Sequence, residues 1–454
     1  MELTKKKDLL EGNPFKVILS FSLFFILGDF LQQLYNVVDS AILGRFVSTN
    51  ALAAMGVATP IMNLVMFVIV GFTIGSGIVF SRWYGKGDID SLRKALSTAL
   101  IVGFIFTIIF SAIVIGVCKP FLRLLKTPEE IIEDTSIYLY IVFAANIFTF
   151  LYNFYSYSIR SIGNSFTPLV FLIISTIVNL LLDLLFVVGF KMGVKGAAIA
   201  TLLSQALSAL MVIVYTNIKI GVLRLGFKDI VFDKSQVKDI LSYSSSVALQ
   251  QSFVYIARIF VQGLIDTYGT AYIAGTNIGE RLNALFQTPI RGYANAATTY
   301  FSQNLGANRL DRIKEGYKAT LLFAVINAVV FTLIGVFLAK PLVSLFVENG
   351  EVDAIKSGTD FTIAMASMYL FASIIVQSQA ILRSMGALKT FVLCTLFTIS
   401  LRVIFSYALN GWLDEVSIYV GVPASWFIGG ILTGSSAYLI YRNKVKRFLD
   451  NSKK

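Results

Sequence analysis

Histidine is absent from the 454 residues, and cysteine occurs only twice, at Cys118 and Cys394. The first absence removes imidazole proton relays, His-ligated zinc and Ser-His-Asp chemistry. The second leaves no disulfide framework and no thiolate metal cluster, because both cysteines sit in or beside apolar runs. Charge is scarce too: Asp, Glu, Lys and Arg supply 14% of the chain, against about 25% in an ordinary soluble domain. Phosphate-binding G-x-x-x-x-G-K-[ST], H-E-x-x-H and any large polar insertion are missing. An ATP-driven cycle within this chain and a membrane-embedded transferase or protease are therefore not expected, and the chain reads as no enzyme. Nor is there a repeated filter-like loop of the kind that builds an ion channel.

Apolar residues fill the space left by these absences. They make up 56% of the sequence, and the mean hydropathy is +0.76. The chain is a succession of apolar runs long enough to cross a bilayer. Lys5, Lys6 and Lys7 precede the first run, near Phe15, in the manner of a signal peptide. That run is too long, carries Asp29 and lacks a small-residue cleavage site, so it reads as a retained span. Further runs follow at 52–82, 92–118, 131–158, 165–190 and 196–218, then at 240–265, 271–304, 313–339, 354–382, 388–411 and 417–441. The reading is an all-α polytopic membrane protein with twelve transmembrane helices in two six-helix lobes. The expected organisation is a first lobe at 1–218, a cytoplasmic connection at 219–239 and a second lobe at 240–454.

The net charge of +12 does not point to nucleic acid, because the basic residues occupy short loops between apolar runs. One alternating set of loops holds Arg82, Lys86, Arg93, Lys94, Arg309, Arg312, Lys314, Arg383 and Lys389, while the other holds Glu129, Glu130, Glu133, Asp134, Asp266 and Asp414. The expectation is a multi-pass protein of the cell membrane with both termini cytoplasmic. At the start of the fourth span, Thr127, Pro128 and Glu130 read as N-cap, first helical residue and capping-box partner.

The halves repeat each other. Phe80-Ser81 and Gly85 match Phe301-Ser302 and Gly306, Lys119-Pro120 match Lys340-Pro341, and Gly71 matches Gly292, all at one offset (306 − 85 = 221). Arg160-Ser161-Ile162-Gly163 answer Arg383-Ser384-Met385-Gly386 after a small insertion. Each half has an even number of spans, so both begin on the same side and the pseudo-symmetry axis runs along the membrane normal. Two like-oriented bundles of this kind are the mechanical outline of alternating access.

The first span carries a polar stripe through hydrocarbon: Asp29, Gln32, Gln33, Asn36 and Asp39 share about a third of the helix circumference. A charge at mid-bilayer costs about 2.5 kcal/mol or more, so such carboxylates are functional candidates. In the fifth span Asn179 and Asp183 share a face, and in the sixth Thr201, Ser204, Gln205 and Ser208 do. Counted from the outer ends of their spans, Asp39, Asp183 and Thr201 all lie roughly 10 Å deep. Two carboxylates in one low-dielectric pocket cannot both ionise cheaply, which suits the pair to carry a proton. The same oxygen ligands suit sodium. No other cofactor is implied.

The second half departs from this pattern, with Arg258, Glu280, Arg281, Arg291 and Arg402 in apolar surroundings. These residues suit a buried network that fixes helix register, or a basic wall for an anionic or zwitterionic substrate. The substrate-cleft candidates are Asp29, Gln33, Tyr35, Asn36, Arg258, Glu280 and Arg291.

LQQLYNVVDSAILGRFV followed by ALAAMGVATPI, the FSRWYGKGD loop, RSIGNSFTP, NLLLDLLFVVG with VKGAAIAT, and the closing WFIGG together resemble the multidrug and toxic compound extrusion (MATE) transporters. The resemblance covers nearly the whole chain. It implies two six-helix lobes that export lipophilic, often cationic compounds against sodium or proton entry. In the DinF-type branch an Asp of span one, an Asn and Asp of span five and a Thr of span six form the cation site. These carry over to Asp39, Asn179, Asp183 and Thr201. Span ten lacks the acidic residue that other branches use. The expected partners are a small-molecule substrate and the lipid bilayer, without nucleic acid or ATP, and with the chain as a monomer. The alternative of the same architecture is a flippase or exporter of an anionic or lipid-linked substrate.

Overall fold

The computed structural model describes the backbone of residues 9–47, 49–226, 229–347 and 351–451, and their side chains apart from 34–46, 49–50, 52 and 445–451. The described backbone is almost wholly helical. The first half runs α1 (Pro14–Phe46), α2 (Thr49–Lys86), α3 (Ile89–Leu124), α4 (Glu129–Ser161), α5 (Phe166–Asp183) and α6 (Gly193–Lys219), with a π-helical turn at Leu184–Gly189 after α5. The second runs α7 (Lys234–Ile265), α8 (Thr270–Gly306), α9 (Leu310–Phe337), the short α10 (Ala339–Ser344), α11 (Val352–Ser367), α12 (Tyr369–Ser384), α13 (Leu388–Ala408), the short α14 (Asn410–Leu413) and α15 (Val416–Asn451).

Hydrocarbon leaves a backbone no solvent partner, so spans must close their own hydrogen bonds, and helices do so. The surface is correspondingly apolar. On α3, Ile105, Ile108, Ile109, Ile113 and Val117 are exposed at helical spacing, while the small and polar Ala99, Gly103, Thr107 and Ser111 are buried on the opposite face. Many buried hydroxyls are satisfied within their own helices, as at Ser81 Oγ to Gly77 O (2.7 Å) and Thr135 Oγ1 to Ile131 O (2.7 Å). Among the described residues nine helices are long and apolar enough to cross a membrane, and the bent pair α11–α12 makes a tenth. Helices α7 and α8, of 32 and 37 residues, have the length but are too polar for that test. They carry Arg258, Glu280, Arg281 and Arg291. With them the expected twelve spans are present.

The internal repeat is visible in the element starts. Helices α2 and α8, and α3 and α9, begin at one offset (270 − 49 = 310 − 89 = 221), whereas α4 and α11, and α6 and α15, begin at another (352 − 129 = 416 − 193 = 223). Equivalent turns use equivalent backbone. Gly87 and Asn308, 221 apart, both take a left-handed φ, of 76° and 56°. Asparagine is the side chain that best tolerates that conformation. Gly163 and Gly386 end α4 and α12 with φ of 89° and 74°.

The chain separates into two compact units, one built chiefly from Leu27–Ala248 and the other from Asp8–Ile26 with Leu249–Lys454. The cuts fall inside α1 and α7 rather than in the 219–239 connection. Glycine explains both. A Cβ on Gly71 of α2 would lie 2.5 Å from Ala248 Cα, and one on Gly75 2.4 Å from Ser244 Cα. The start of α7 is thus seated directly on α2, where Ser244 Oγ also donates to Phe72 O (2.8 Å). In the other unit a Cβ on Gly292 of α8 would lie 2.4 Å from Ile26 Cγ1 of α1. Gly71 and Gly292 are repeat mates, and Ala248 stands one residue from the mate of Ile26 (26 + 221 = 247). The second unit secures the segment before α1 further. Buried Arg312 donates to the carbonyls of Leu9 (3.3 Å), Glu11 (3.0 Å) and Gly12 (2.8 Å) and to Asn304 Oδ1 (3.1 Å).

Two local expectations are corrected. Helix α4 starts at Glu129 with Pro128 as its N-cap, at φ −55° and ψ 137°, and no side chain caps it. Pro128 itself takes an extended ψ, so the helix starts one residue later than expected, Thr127 Oγ1 has no hydrogen-bond partner among the described residues, and the expected Thr127–Glu130 capping box does not form. The tenth span is not one straight helix but α11 and α12, bent by 54° at Met368. Thr332 Oγ1 of α9 donates to Ala366 O (2.6 Å), removing that carbonyl from the helical ladder. Gly335, also on α9, lets the two backbones close on the same residue. A side chain inserted into the ladder is a sufficient cause of a kink.

Candidate functional site

In the first unit, α5 and α6 run side by side. Asn179 and Asp183 occupy successive turns of α5, with exposures of 3% and 1%. Both Asp183 carboxylate oxygens are sealed from solvent. Neither amide atom of Asn179 has a hydrogen-bond partner among the described residues. An unsatisfied buried amide costs about 1–3 kcal/mol, so an Asn kept in that condition is prepared to ligate something.

Asp183 is the last residue of α5, and the chain widens at once into the π-helical turn Leu184–Gly189. Such turns often mark functional sites, because the bulge redirects the side chains around it. The turn rests on Gly196 of α6, where a Cβ would come 3.2 Å from the Phe186 backbone. Two turns deeper, Ser175 Oγ donates to Ser204 O (3.1 Å). Between these anchor points on α6 lies Thr201, half-buried. The α6 polar face continues through Gln205, whose Oε1 accepts the Thr149 hydroxyl of α4, and through buried Ser208. Near the same face, Asn146 Nδ2 donates to Ser111 Oγ (3.2 Å).

Asn179 and Asp183 on α5 and Thr201 on α6 thus stand on two helices that pack against each other. The fourth predicted cation ligand, Asp39, lies on α1 outside the described side chains, as do Tyr35 and Asn36. Asp29 and Gln33 are half-buried on α1 in the same unit, where Gly28 touches Leu169 and Leu172 of α5. The donor set of a carboxylate, an amide oxygen and a hydroxyl fits a hard monovalent cation or a proton. Among the described residues no three acidic or thiol side chains converge as a multivalent metal centre. A groove of about 440 Å³ lies on the far part of α6, lined by Phe171, Leu210, Met211, Val214, Tyr215, Ile218 and Lys219. It is almost wholly apolar and does not reach Asn179 or Asp183.

In the second unit the charged candidates separate. Arg258 of α7 and Glu280 of α8 form an ion pair at 3.1 Å. Arg291 instead turns back along α8, donating to Ala284 O and Thr288 Oγ1, both at 3.2 Å. Arg402 of α13 lies with its Cζ 5.7 Å from the centre of the Trp426 ring. Asn283 and Tyr369 belong to this cluster without having stood out in the sequence, and Trp426 stood out only as the first residue of WFIGG, since aromatic and amide residues on apolar helices resemble any others until packing brings them together.

A family model described as MatE matches residues 25–185 and 246–408. The chain belongs to the MATE family. The matched segments start and end at the two repeat offsets (246 − 25 = 221 and 408 − 185 = 223), so each half contributes one copy. A relative from Bacillus subtilis (strain 168), the probable multidrug resistance protein YpnP, is 29% identical over 443 residues, covering 96% of this chain and 97% of that protein. The multidrug export protein MepA of Staphylococcus haemolyticus is 24% identical over 75% of each chain. Among solved structures, an outward-facing multidrug resistance MATE transporter of the MOP superfamily superposes with a TM-score of 0.91, at 20% identity over 98% of this chain and 99% of that one. Another neighbour, a MOP superfamily transporter from Pyrococcus furiosus described as having a binding pocket of reversed polarity, superposes at 0.90, with 20% identity over 97% and 99%. This MATE protein is thus a multi-pass membrane protein of a transporter family, not an enzyme.

Proposed function

We propose that the chain is a secondary antiporter of the cell membrane that exports small lipophilic compounds by alternating access, with both termini cytoplasmic and sodium or proton entry as the driving force. The coupling cation is taken up in the first unit by Asn179, Asp183, Thr201 and Asp39, the set that the DinF-type branch would use. The observation that carries this reading is the pair on α5: a carboxylate sealed from solvent at the head of a π turn, one helical turn from an amide whose polar atoms have no partner among the described residues. Neutralising Asp183 by a bound ion removes the cost of a buried charge. A lobe arrangement that closes over the site is favoured only when the ion is present, which is the differential affinity that any coupled carrier needs. Relatives named as multidrug resistance and export proteins support the direction of transport.

The test is efflux of a lipophilic fluorophore from proteoliposomes under separately imposed sodium and proton gradients, with 1-anilinonaphthalene-8-sulfonate and ethidium as the anionic and cationic probes. One gradient is expected to drive efflux in the wild-type protein. Asp183→Asn keeps the shape and loses the charge, and its driven efflux is expected to fall at least tenfold with an unchanged thermal midpoint. Full efflux in Asp183→Asn would remove that residue from coupling.

A further inference from the structure

We propose that the second unit holds the anionic group of an amphiphilic substrate, a carboxylate, sulfonate or phosphate on a lipophilic body, at Arg402 with Trp426 as its apolar contact. The proposal names a substrate class for the export reading above and rests on that reading.

Donors outnumber acceptors around Arg402. Its Nε is buried with no hydrogen-bond acceptor among the described residues. Its planar group stands over the Trp426 ring, an arrangement that leaves the N–H edge of a guanidinium free to meet an oxyanion. Trp426 leads to Tyr369, with ring centres 6.4 Å apart. Tyr369 OH donates to Asn283 Oδ1 (3.2 Å), which also takes a hydrogen bond from Gln287 Nε2 (2.9 Å). That acceptor is therefore occupied twice. Arg402 forms no ion pair among the described residues; Glu280 attracts it and Arg258 repels it. Glu280 Oε2 is already bonded to Arg258 at 3.1 Å. The Arg402 charge thus lies within membrane-spanning helices, where an unpaired charge is costly, beside a carboxylate that Arg258 already engages. A ligand that enters here gains by bringing acceptors and negative charge, and a cation gains neither.

The experiment is calorimetric titration of the purified full chain in a non-ionic detergent with two probes of one ring and opposite charge, naphthalene-2-sulfonate and naphthalene-2-trimethylammonium. The sulfonate is expected to bind saturably, at least tenfold tighter than the cation. Arg402→Gln should weaken the sulfonate at least tenfold, Arg402→Lys should recover part of the loss, and Lys314→Gln, on an exposed position of α9, should leave binding unchanged. Glu280→Gln decides with the opposite sign and serves also if Arg402→Gln fails to fold. Removing the competing carboxylate should tighten sulfonate binding, which a merely structural role would not do. Equal or tighter binding of the cation, no saturable sulfonate binding, wild-type affinity in Arg402→Gln, or no gain in Glu280→Gln would each overturn the proposal. None of these readouts depends on ion-driven transport, so a failure here is distinct from a failure of coupling.

Discussion

Asn179 and Asp183 differ in what they give up for their position. Asp183 holds a charge away from water, whereas Asn179 holds an amide without partners among the described residues. Replacing Asn179 by Leu, of similar volume, removes the unsatisfied groups and should raise thermal stability by about 1–3 kcal/mol. It should also abolish coupled efflux. A variant more stable than wild type and unable to couple would separate ligation from packing, and a destabilised one would mean that the amide is structural. At the edge of α3, Asp88 offers a test with a defined sign. Its oxygens accept from Ser91 N (3.0 Å) and Ser91 Oγ (2.9 Å), and these bonds, the backbone one foremost, hold its carboxyl below the usual range. Its contribution to folding is therefore complete above the ordinary carboxylate pKa of 3.8, and is lost as pH falls through the lower folded-state value. Asp88→Asn keeps the cap and should flatten that acid limb in thermal unfolding followed between pH 2 and pH 5. At this scale the α5 pair was legible in the sequence, because a charge and an amide stand out in ISTIVNLLLDLLFVVG. Tyr369 and Asn283 were not, and Trp426 only as part of WFIGG, because their place beside Arg402 comes from packing between helices.

Helices in this chain meet where side chains are smallest, and the glycines at the crossings decide how closely. Gly71 and Gly292 do the same work in the two halves, one admitting Ala248 of α7 and the other Ile26 of α1. A methyl group at Gly71 meets backbone at 2.5 Å, whereas at Gly292 it meets the Ile26 Cγ1 at 2.4 Å. Backbone cannot rotate away and a side chain can. Gly71→Ala should therefore destabilise by about 1–3 kcal/mol and Gly292→Ala by less, a difference that thermal unfolding of the two purified variants will show. Equal losses would mean that the α1 crossing is as rigid as the α7 one. The twelve spans, the repeat and the left-handed glycine turns were readable beforehand because they rest on local rules of length, period and turn chemistry. The π turn after Asp183 and the bend at Met368 were not. No Pro or Gly stands where the π turn begins at Leu184 or at Met368, and the bend arises beside Thr332, a residue on another helix that bonds the Ala366 carbonyl.

Each compact unit takes in the opening segment of the other half's first helix: Asp8–Ile26 belongs with Leu249–Lys454, and the start of α7 up to Ala248 belongs with the first half. Exchange of equivalent elements between duplicated halves makes each unit incomplete when its own half is expressed alone. Without α7 up to Ala248, the α2 face opened by Gly71 and Gly75 has nothing to cover it. Without Leu9–Ile26, the Arg312 guanidinium loses three backbone acceptors, and a buried cation stripped of its partners is strongly destabilising. Severing the chain between residues 226 and 229, in the connection before α7, tests this directly. Residues 1–226 and 229–454 expressed separately should be unstable in detergent. Co-expressed, they should associate and recover a cooperative unfolding transition within a few degrees of the intact chain, since all contacts of both units are then available. Cooperative unfolding of the first fragment alone, at the intact chain's midpoint, would mean that the exchanged segments only decorate two independently stable lobes.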